Sequence, residues 1–275
     1  MSNNYKMGQS RIFITGGASG LGRALAERFA AAGYAVCIGD IHAERGEETL
    51  AALQQKTAAH FLACNVQREE DLQAAADWLR EHWGGVDIVV NNAGVAAAGN
   101  IDALPLEDWQ WVMDINVLGV VRGSKVFTAL MKEQGHGHIV NIASLAGLIH
   151  PPKMAAYCAS KAAVVAISES MSLELADDNI GVSVVCPAFF RTNLAESARA
   201  SDADSAGMTN RLVNKAKIGA EEIANYVFEA VQRGDHYILT HAESRRLFRL
   251  KRLVPFSWYR RVMLKGTSRM AKKRA

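Results

Sequence analysis

A serine, a tyrosine and a lysine lie in the middle of the chain in an order that could perform acid–base chemistry on a carbonyl group. Ser144 ends an apolar run, and Tyr157 and Lys161 follow it. If the segment from Met154 onward is helical, Tyr157 and Lys161 lie side by side, because residues four apart share one helix face. A free tyrosine has a pKa of about 10, and a nearby ammonium favours the phenolate, so we expect Lys161 to lower the pKa of Tyr157. Ser144 could hold a carbonyl oxygen and share the charge that develops on it during reduction.

A glycine-rich turn near the N-terminus is suited to binding a dinucleotide. Arg11 to Ile14 is predicted to be a short buried strand, Arg23 to Ala32 is predicted to be a helix, and Thr15-Gly16-Gly17-Ala18-Ser19-Gly20-Leu21-Gly22 connects them. Glycines allow a tight turn and close approach of a ligand, and the free N–H groups at a helix start favour a pyrophosphate. We therefore expect cofactor contacts from Gly16, Ser19, Gly20, Leu21 and Gly22.

Asp40 follows the predicted second strand, Ala35 to Gly39. A carboxylate about twenty residues past the glycine turn can accept hydrogen bonds from an adenosine ribose and would repel a 2′-phosphate. NAD is therefore favoured, and NADP is the less favoured cofactor. Asp40 could instead only cap the next helix, and His42 and Arg45 could weaken the preference for NAD.

These motifs, with Asn91-Asn92-Ala93-Gly94 between them, resemble the short-chain dehydrogenase/reductase family in its Tyr-x-x-x-Lys branch. The resemblance extends in order from Arg11 to about Thr240. It implies an α/β fold, a Rossmann-like doubly wound sheet of about seven mainly parallel strands flanked by helices, with the site at the carboxyl ends of the strands. It also implies reversible, NAD(H)-dependent interconversion of a secondary alcohol and a ketone by a homodimer or homotetramer.

The resemblance assigns roles to individual residues. Tyr157 would exchange a proton with the substrate oxygen, Lys161 would also hold the nicotinamide ribose, and Ser144 would orient the carbonyl. Asn116, in a helix predicted over Leu106 to Met131, would hold a water that links Lys161 to solvent. The further cofactor contacts that the resemblance implies are Asn65 and Val66 beside the adenine, Asn92 on the adenosine side, and Phe190 and Thr192 at the nicotinamide end.

Three positions bear on how closely the chain follows the family pattern. Asn65 stands where the family usually has Asp, and Ala188 stands where it usually has Gly. An amide oxygen can still accept a hydrogen bond from the adenine, although without the assistance of a charge. Ser19 stands where relatives that use NADP often carry Arg or Lys, which again favours NAD.

The segment from Ala195 to Lys217 is predicted to be a mobile lid over the substrate. An apolar pocket is predicted from Met208, Leu212, Val213, Phe189, Leu145, Leu148 and Ile149, unless these residues are ordinary core. Beside the pocket residues 145–149 and Phe189, the cations Lys153 and Arg191 lie only at the margins. We therefore expect a lipophilic alcohol or ketone, which could be steroid-like, fatty or aromatic.

The bulk properties fit one enzyme domain. A chain of 275 residues with 49% hydrophobic residues can bury one large core. The four cysteines, Cys37, Cys64, Cys158 and Cys186, are far apart, so neither disulfides nor a metal site is predicted, and a reducing cytosol fits best. The N-terminus has no apolar signal segment, and no apolar run approaches the roughly 18 residues of a membrane span. We expect a cytoplasmic protein that could be peripheral at a membrane.

Positive charge is concentrated in the last thirty or so residues. Twelve of the 31 cations and none of the 28 anions lie from Ser244 onward. We divide the chain into a catalytic domain, residues 1–242, and a basic helical extension, residues 243–275. The apolar face of the extension is predicted to carry Leu247, Leu250, Val254, Trp258, Tyr259, Val262 and Met263. Such a basic amphipathic segment could lie in an anionic membrane interface. It could also dock on a sister subunit, attract an acidic carrier or, less favoured, nucleic acid, or be partly disordered.

Two other functions stay open at this point. Some proteins of the resembled family sense or bind nucleotides without catalysis, although the four catalytic positions here all carry competent residues. A 3-oxoacyl-type reductase acting on a carrier-linked substrate is the second alternative.

Overall fold

Seven parallel strands form the central sheet of the computed structural model. The structure describes residues 6–192, 194, 196, 198–202, 205, 207, 216 and 218–272. The side chains of residues 243 and 266–272 are not described. The strands of the chain are β1 Arg11–Thr15, β2 Ala35–Asp40, β3 Ala59–Ala63, β4 Ile88–Asn91, β5 Ala97–Ala98, β6 Gly137–Ile142, β7 Ile180–Val185, β8 Arg199–Ala200 and β9 Tyr237–Ile238. The order in the sheet is β3-β2-β1-β4-β6-β7-β9, and β5 pairs with β8 separately. The strand order reverses beside β1, so the predicted doubly wound architecture is confirmed.

Helices cover both faces of this sheet, as the nearly continuous apolar character of its central strands requires. They are α1 Gly20–Ala31, α2 Ala43–Gln54, α3 Glu69–Trp83, α4 Leu106–Met113, α5 Gly119–Gln134, α6 Ala146–Ile149, α7 Ala155–Glu174, α8 Ala220–Gln232, α9 Ala242–Leu253 and α10 Phe256–Lys272. On one face α1 and α8 pack on the sheet around Phe29 and Val227. On the other face α3, α5 and the end of α7 pack around Phe127. The described helices therefore enclose the sheet and leave its strand ends to form the site.

The predicted helix from Leu106 to Met131 is interrupted by a wider turn. A π-helical segment, Asp114–Leu118, joins α4 to α5, and the Gly119 N–H donates to the Asp114 carbonyl. A π turn carries one extra residue, which changes the direction of the following side chains. Asn116 lies in this segment and is fully buried. The sequence pattern predicts a helix here but does not reveal the π turn.

The basic extension packs on the rest of the chain. Leu247, Phe248 and Val254 pack against a cluster that includes Val164 and Val184, and Tyr259 is itself buried in it. Much of the apolar face that the sequence offered to a membrane is therefore covered by the protein's own body. Among the residues described, none of the helices combines the length and the apolar character needed to cross a bilayer.

Candidate active site

A cavity of about 880 Å³ opens at the carboxyl ends of the parallel strands. Parallel strands end at one edge of a sheet, so residues that are distant in sequence meet there. The segments that follow β1, β2, β3, β4, β6 and β7 all contribute to its lining. This position confirms that the sheet, rather than any single motif, assembles the candidate site.

Ser144, Tyr157 and Lys161 converge on one side of this cavity. Ser144 follows β6, and its hydroxyl is hydrogen-bonded to Tyr157 on α7. The Lys161 ammonium lies 5.9 Å from the centre of the Tyr157 ring and donates a 2.8 Å hydrogen bond to the Ile142 carbonyl. The structure therefore brings together the three side chains that the sequence spacing selected.

Burial determines the protonation of this group. Burial raises the pKa of Tyr157 to about 12, and the hydrogen bond with Ser144 acts in the opposite direction. Burial also lowers the pKa of Lys161 to about 8, with Cys186 acting in the opposite direction. The expectation that Lys161 lowers the pKa of Tyr157 is wrong for the protein alone, because burial has the largest effect and raises this pKa. Tyr157 is consequently a protonated phenol at neutral pH.

Asn116 fixes the backbone that leads to Lys161. Its Oδ1 accepts from the Val95 N–H at 2.8 Å, and its Nδ2 donates to the Val95 carbonyl at 2.9 Å and to the Ser160 hydroxyl at 3.0 Å. A Cβ added at Gly94 would lie 3.2 Å from Asn116 Oδ1 and 3.3 Å from Lys161 Nζ. Asn116 therefore lies beside Lys161 across Gly94, with both of its amide donors engaged by protein.

The glycine turn has the shape that a dinucleotide requires. Gly16 and Gly20 have φ of +63° and +53°, which side-chain-bearing residues rarely adopt. A Cβ at Gly22 would lie 2.0 Å from the Gly16 carbonyl oxygen, so only glycine lets α1 begin this close to the turn. Gly16, Ser19, Gly20 and Leu21 line the cavity at the start of α1, where helix N–H groups lack intrahelical partners. These residues fit a pyrophosphate.

Asn92 holds the turn in place. Its Nδ2 donates to the Thr15 carbonyl at 2.8 Å and to the Gly16 carbonyl at 3.0 Å. It also lines the cavity, as the sequence analysis expected of a cofactor contact. Asn91 is buried and bonds Asn141 and Ser124, which is a structural role.

Asp40, Asn65 and Val66, which the sequence analysis assigned to the adenosine, line the cavity. The Asp40 carboxylate accepts from the Ala18 and His42 N–H groups, each at 3.0 Å. Asn65 Oδ1 accepts from the Gln67 N–H at 3.0 Å. Carboxylate and amide oxygens have further lone pairs, so both side chains can still accept from a ligand.

Phe190 and Thr192, which follow β7, line the cavity. Phe190 also packs partly against the core beneath α1 and α8. All the residues that the sequence analysis assigned to the cofactor, except Gly22 behind the turn, therefore border one continuous cavity.

The remaining part of the cavity is apolar and differs from the predicted pocket. Phe189, Leu145 and Ile149 line it, but Leu148 faces the core instead. Met208, Leu212 and Val213 lie outside the described residues. The lining residues that the sequence analysis missed are Val95, Ala96, Ala146, Pro151, Met154, Leu194, Leu247 and Met263. The signal for Leu247 and Met263 was the amphipathic pattern of the extension, for which a membrane interface and a sister subunit were among the predicted partners.

Comparison with known proteins supports the class that the sheet and the site define. A family model described as short chain dehydrogenase matches residues 10–203. Over 264 residues the chain is 33% identical to the CLA biosynthesis dehydrogenase/reductase of Lactiplantibacillus plantarum, covering 88% of this chain and 92% of that protein. Over 214 residues it is 34% identical to 3beta-hydroxysteroid dehydrogenase 1 of Eggerthella lenta, covering 77% and 82%.

A solved structure of the same family also matches the fold of this chain. The short chain dehydrogenase/reductase from Burkholderia phymatum, crystallised in complex with NAD, matches with a TM-score of 0.85 and 34% sequence identity, covering 90% of this chain and 94% of that one. The chain has a doubly wound parallel sheet, a glycine turn after its first strand and a Ser-Tyr-Lys group across the cavity. Together these features define an oxidoreductase of the Rossmann class. The chain belongs to the short-chain dehydrogenase/reductase family, in which relatives such as threitol and hydroxysteroid dehydrogenases act on CH–OH groups.

Proposed function

We propose that the protein interconverts a lipophilic secondary alcohol and its ketone, with NAD(H) as the cofactor. The observation that carries the proposal is the convergence of Ser144, Tyr157 and Lys161 on a cavity whose other end is the glycine turn. The cofactor, when bound, supplies or accepts the hydride. The protein's own residues bind, orient and exchange the proton.

Tyr157 is the acid–base group of this proposal. Its raised pKa, about 12, keeps the phenol protonated, so it is ready to donate to a ketone oxygen during reduction and takes the proton back during oxidation. Ser144 orients the carbonyl and stabilises the charge on its oxygen. An ammonium has three N–H donors, so the bond from Lys161 to the Ile142 carbonyl leaves it able to hold a ribose hydroxyl. Asn116 positions the Val95 and Ser160 segments around Lys161 and stays our candidate for the water link to solvent.

Charge at the adenosine end supports NAD over NADP. The Asp40 carboxylate borders the cavity, and a 2′-phosphate there would meet a like charge. Arg45, the cation that could attract such a phosphate, bonds Glu196 at 3.2 Å. Its charge is therefore already matched by an anion.

We expect Asp40→Asn to reduce the preference for NAD. The substitution keeps the shape of the side chain and removes the charge, so the ratio of the NADPH dissociation constant to that of NADH should fall at least about tenfold, because like-charge juxtaposition costs several kcal/mol. Fluorescence titration with both dinucleotides measures this ratio. Asp102→Asn, at an exposed position outside the cavity lining, is the control and should leave the ratio unchanged. An unchanged ratio in Asp40→Asn would refute the role of its charge.

The lining supports a lipophilic substrate. Around the Ser144 and Tyr157 hydroxyls the wall is formed by Leu145, Ile149 and Met154. Among the described lining residues the cations are Arg45, which bonds Glu196, and Lys161, which bonds the Ile142 carbonyl and is assigned to the ribose, so no further cation there is placed to bind a substrate carboxylate. A hydroxysteroid dehydrogenase among the relatives is consistent with an alicyclic or long-chain alcohol. A carrier-linked 3-oxoacyl group is the alternative substrate.

We also propose a homodimer or homotetramer in the cytoplasm. Leu118, Val121 and Leu173 expose 47%, 38% and 81% of their surface, which favours burial against a second copy.

Peripheral contact with a membrane is a further part of the proposal, on a smaller surface than the sequence suggested. Leu253, Phe256 and Trp258 stay 83%, 72% and 45% exposed at the corner between α9 and α10. Arg252, Arg260 and Arg261 lie near this corner in sequence and are exposed, and Arg252 also pairs with Glu169 at 3.7 Å. Apolar and aromatic side chains among cations fit an anionic bilayer surface.

We expect the double substitution Phe256→Ser and Trp258→Ser to weaken pelleting with phosphatidylserine vesicles. Burial of each aromatic side chain contributes about 1.5–3 kcal/mol, so the partition coefficient should fall about tenfold or more. Cosedimentation at low and high salt, with phosphatidylcholine vesicles alongside, measures it. Ile101→Ser, at a site that is 70% exposed elsewhere on the surface, is the control. If the unaltered protein pellets equally with and without vesicles, the membrane contact is rejected.

A further inference from the structure

The last two helices contribute side chains to the cavity that holds the catalytic group. Leu247 of α9 and Met263 of α10 line it, together with Ile149 and Met154. Both residues lie beyond residue 203, where the match to the family model ends. The part of the wall that Leu247 and Met263 form therefore lies outside the region that the family model matches.

Hydrogen bonds hold these helices against the short helix that follows Ser144. The Lys251 ammonium donates to the Leu148 carbonyl and, at 3.0 Å, to His150 Nδ1. The Tyr259 hydroxyl donates to the Ile149 carbonyl. The last carbonyls of α6 lack intrahelical donors, and a cation at a helix C-terminus is favourable. The bonds from Lys251 and Tyr259 thus supply the donors that the last carbonyls of α6 lack within the helix.

Packing adds to these bonds. Tyr259 is only 5% exposed and belongs to the same buried cluster as Leu239 and Val184. Phe248 and Met263 pack on this cluster from the same side. Substitutions at residues that pack on this cluster would therefore alter the cavity wall and leave Ser144, Tyr157 and Lys161 unchanged.

We propose that α9 and α10 form the distal wall of the substrate site, and that Leu247 and Met263 determine how long an apolar substrate it accepts. The proposal rests on the proposed function and specifies its substrate class, a secondary alcohol or ketone with an extended aliphatic or alicyclic body. The carbinol end lies at the Ser144 and Tyr157 hydroxyls, and the apolar body extends toward the two helices. A cavity of about 880 Å³ with an apolar wall accommodates such a body beside a cofactor.

The test compares filling and enlarging substitutions at these two positions. Dissociation constants of 2-alkanones from 2-butanone to 2-dodecanone are measured by thermal shift on NAD-loaded protein, which needs no turnover. In the unaltered protein each buried methylene should strengthen binding about threefold to fourfold. Leu247→Phe and Met263→Phe should weaken binding of the longest ketone by about tenfold or more and leave 2-butanone unchanged. Leu247→Ala and Met263→Ala should make room for bulkier ketones such as a cyclohexyl methyl ketone.

Matched controls lie on the same two helices. Leu253→Phe on α9 and Leu264→Phe on α10 place the same side chain at positions that are 83% and 51% exposed, and both should bind the series like the unaltered protein. The proposal is overturned if the controls change as much as the two wall variants, if the wall variants bind long ketones normally, or if no 2-alkanone binds with a dependence on chain length. Binding that depends on chain length, without any oxidation of NADH, would support the wall and reject the proposed reaction.

Discussion

Replacement of Tyr157 by phenylalanine should abolish the formation of NADH from secondary alcohols. The substitution keeps the ring and its packing and removes the hydroxyl that exchanges the proton, so we expect kcat to fall about 10³-fold, within the usual range for loss of an acid–base group. The dissociation constant of NAD should stay within about twofold, because the glycine turn and Asp40 are untouched. A panel that includes steroids and long-chain hydroxy compounds, followed at the NADH absorbance, measures the rate.

Tyr34→Phe is the matched control for this prediction. It removes a phenolic hydroxyl that accepts from Gln232 Nε2 at 3.0 Å, outside the cavity lining. Its turnover should equal that of the unaltered protein. Undiminished turnover in Tyr157→Phe would overturn the catalytic assignment. Tight NAD binding without turnover of any alcohol by the unaltered protein would favour the nucleotide-sensing alternative.

Gly22→Ala should impair both folding stability and dinucleotide binding. The new Cβ would lie 2.0 Å from the Gly16 carbonyl oxygen and 2.6 Å from Asn92 Nδ2, so the start of α1 must shift away from the turn. Overpacking against backbone costs about 1–3 kcal/mol or more, which lowers the melting temperature of a chain of this size by roughly 3–10 °C. The dissociation constant of NADH should rise at least about tenfold, because the N–H groups at the start of α1 no longer face the pyrophosphate position.

Gly219→Ala provides the comparison for Gly22→Ala. Among the residues that the structure describes, the nearest atom to a Cβ at Gly219 would be Arg191 Nη2 at 3.4 Å, and Gly219 precedes α8. Gly219→Ala should lower the free energy of unfolding by less than about 1 kcal/mol, the typical difference between residues at a helix N-cap. NADH binding should not change. Calorimetry and fluorescence titration measure the two effects. Normal melting and normal NADH binding in Gly22→Ala would show that the turn can relax.

The parts of the fold that follow from local patterns could be predicted from the sequence. The apolar strands, the helix over Glu69–Trp83 and the glycine turn each carry their signal in neighbouring residues. The pairing of Tyr157 with Lys161 follows from helix geometry alone. Their meeting with Ser144 follows because β6 ends at the same sheet edge.

Features that depend on the packed interior could not be predicted. The pKa of Tyr157 is set by how completely the folded chain excludes water from its hydroxyl, which the spacing to Lys161 does not reveal. The π turn around Asn116 accompanies bonds between its amide and Val95, a residue 21 positions earlier, so neighbouring residues do not signal it. Leu247 has the same amphipathic pattern whether its apolar face meets lipid or protein, so only the structure shows that it faces the cavity.

The attachment of α9 and α10 to the carbonyls of α6 has a consequence for how such proteins diversify. The catalytic side chains come from the first two thirds of the chain, whereas part of the wall opposite them comes from its final segment. Recombination that exchanges only the coding sequence of α9 and α10 can therefore alter the wall of the cavity while the catalytic side chains are inherited intact.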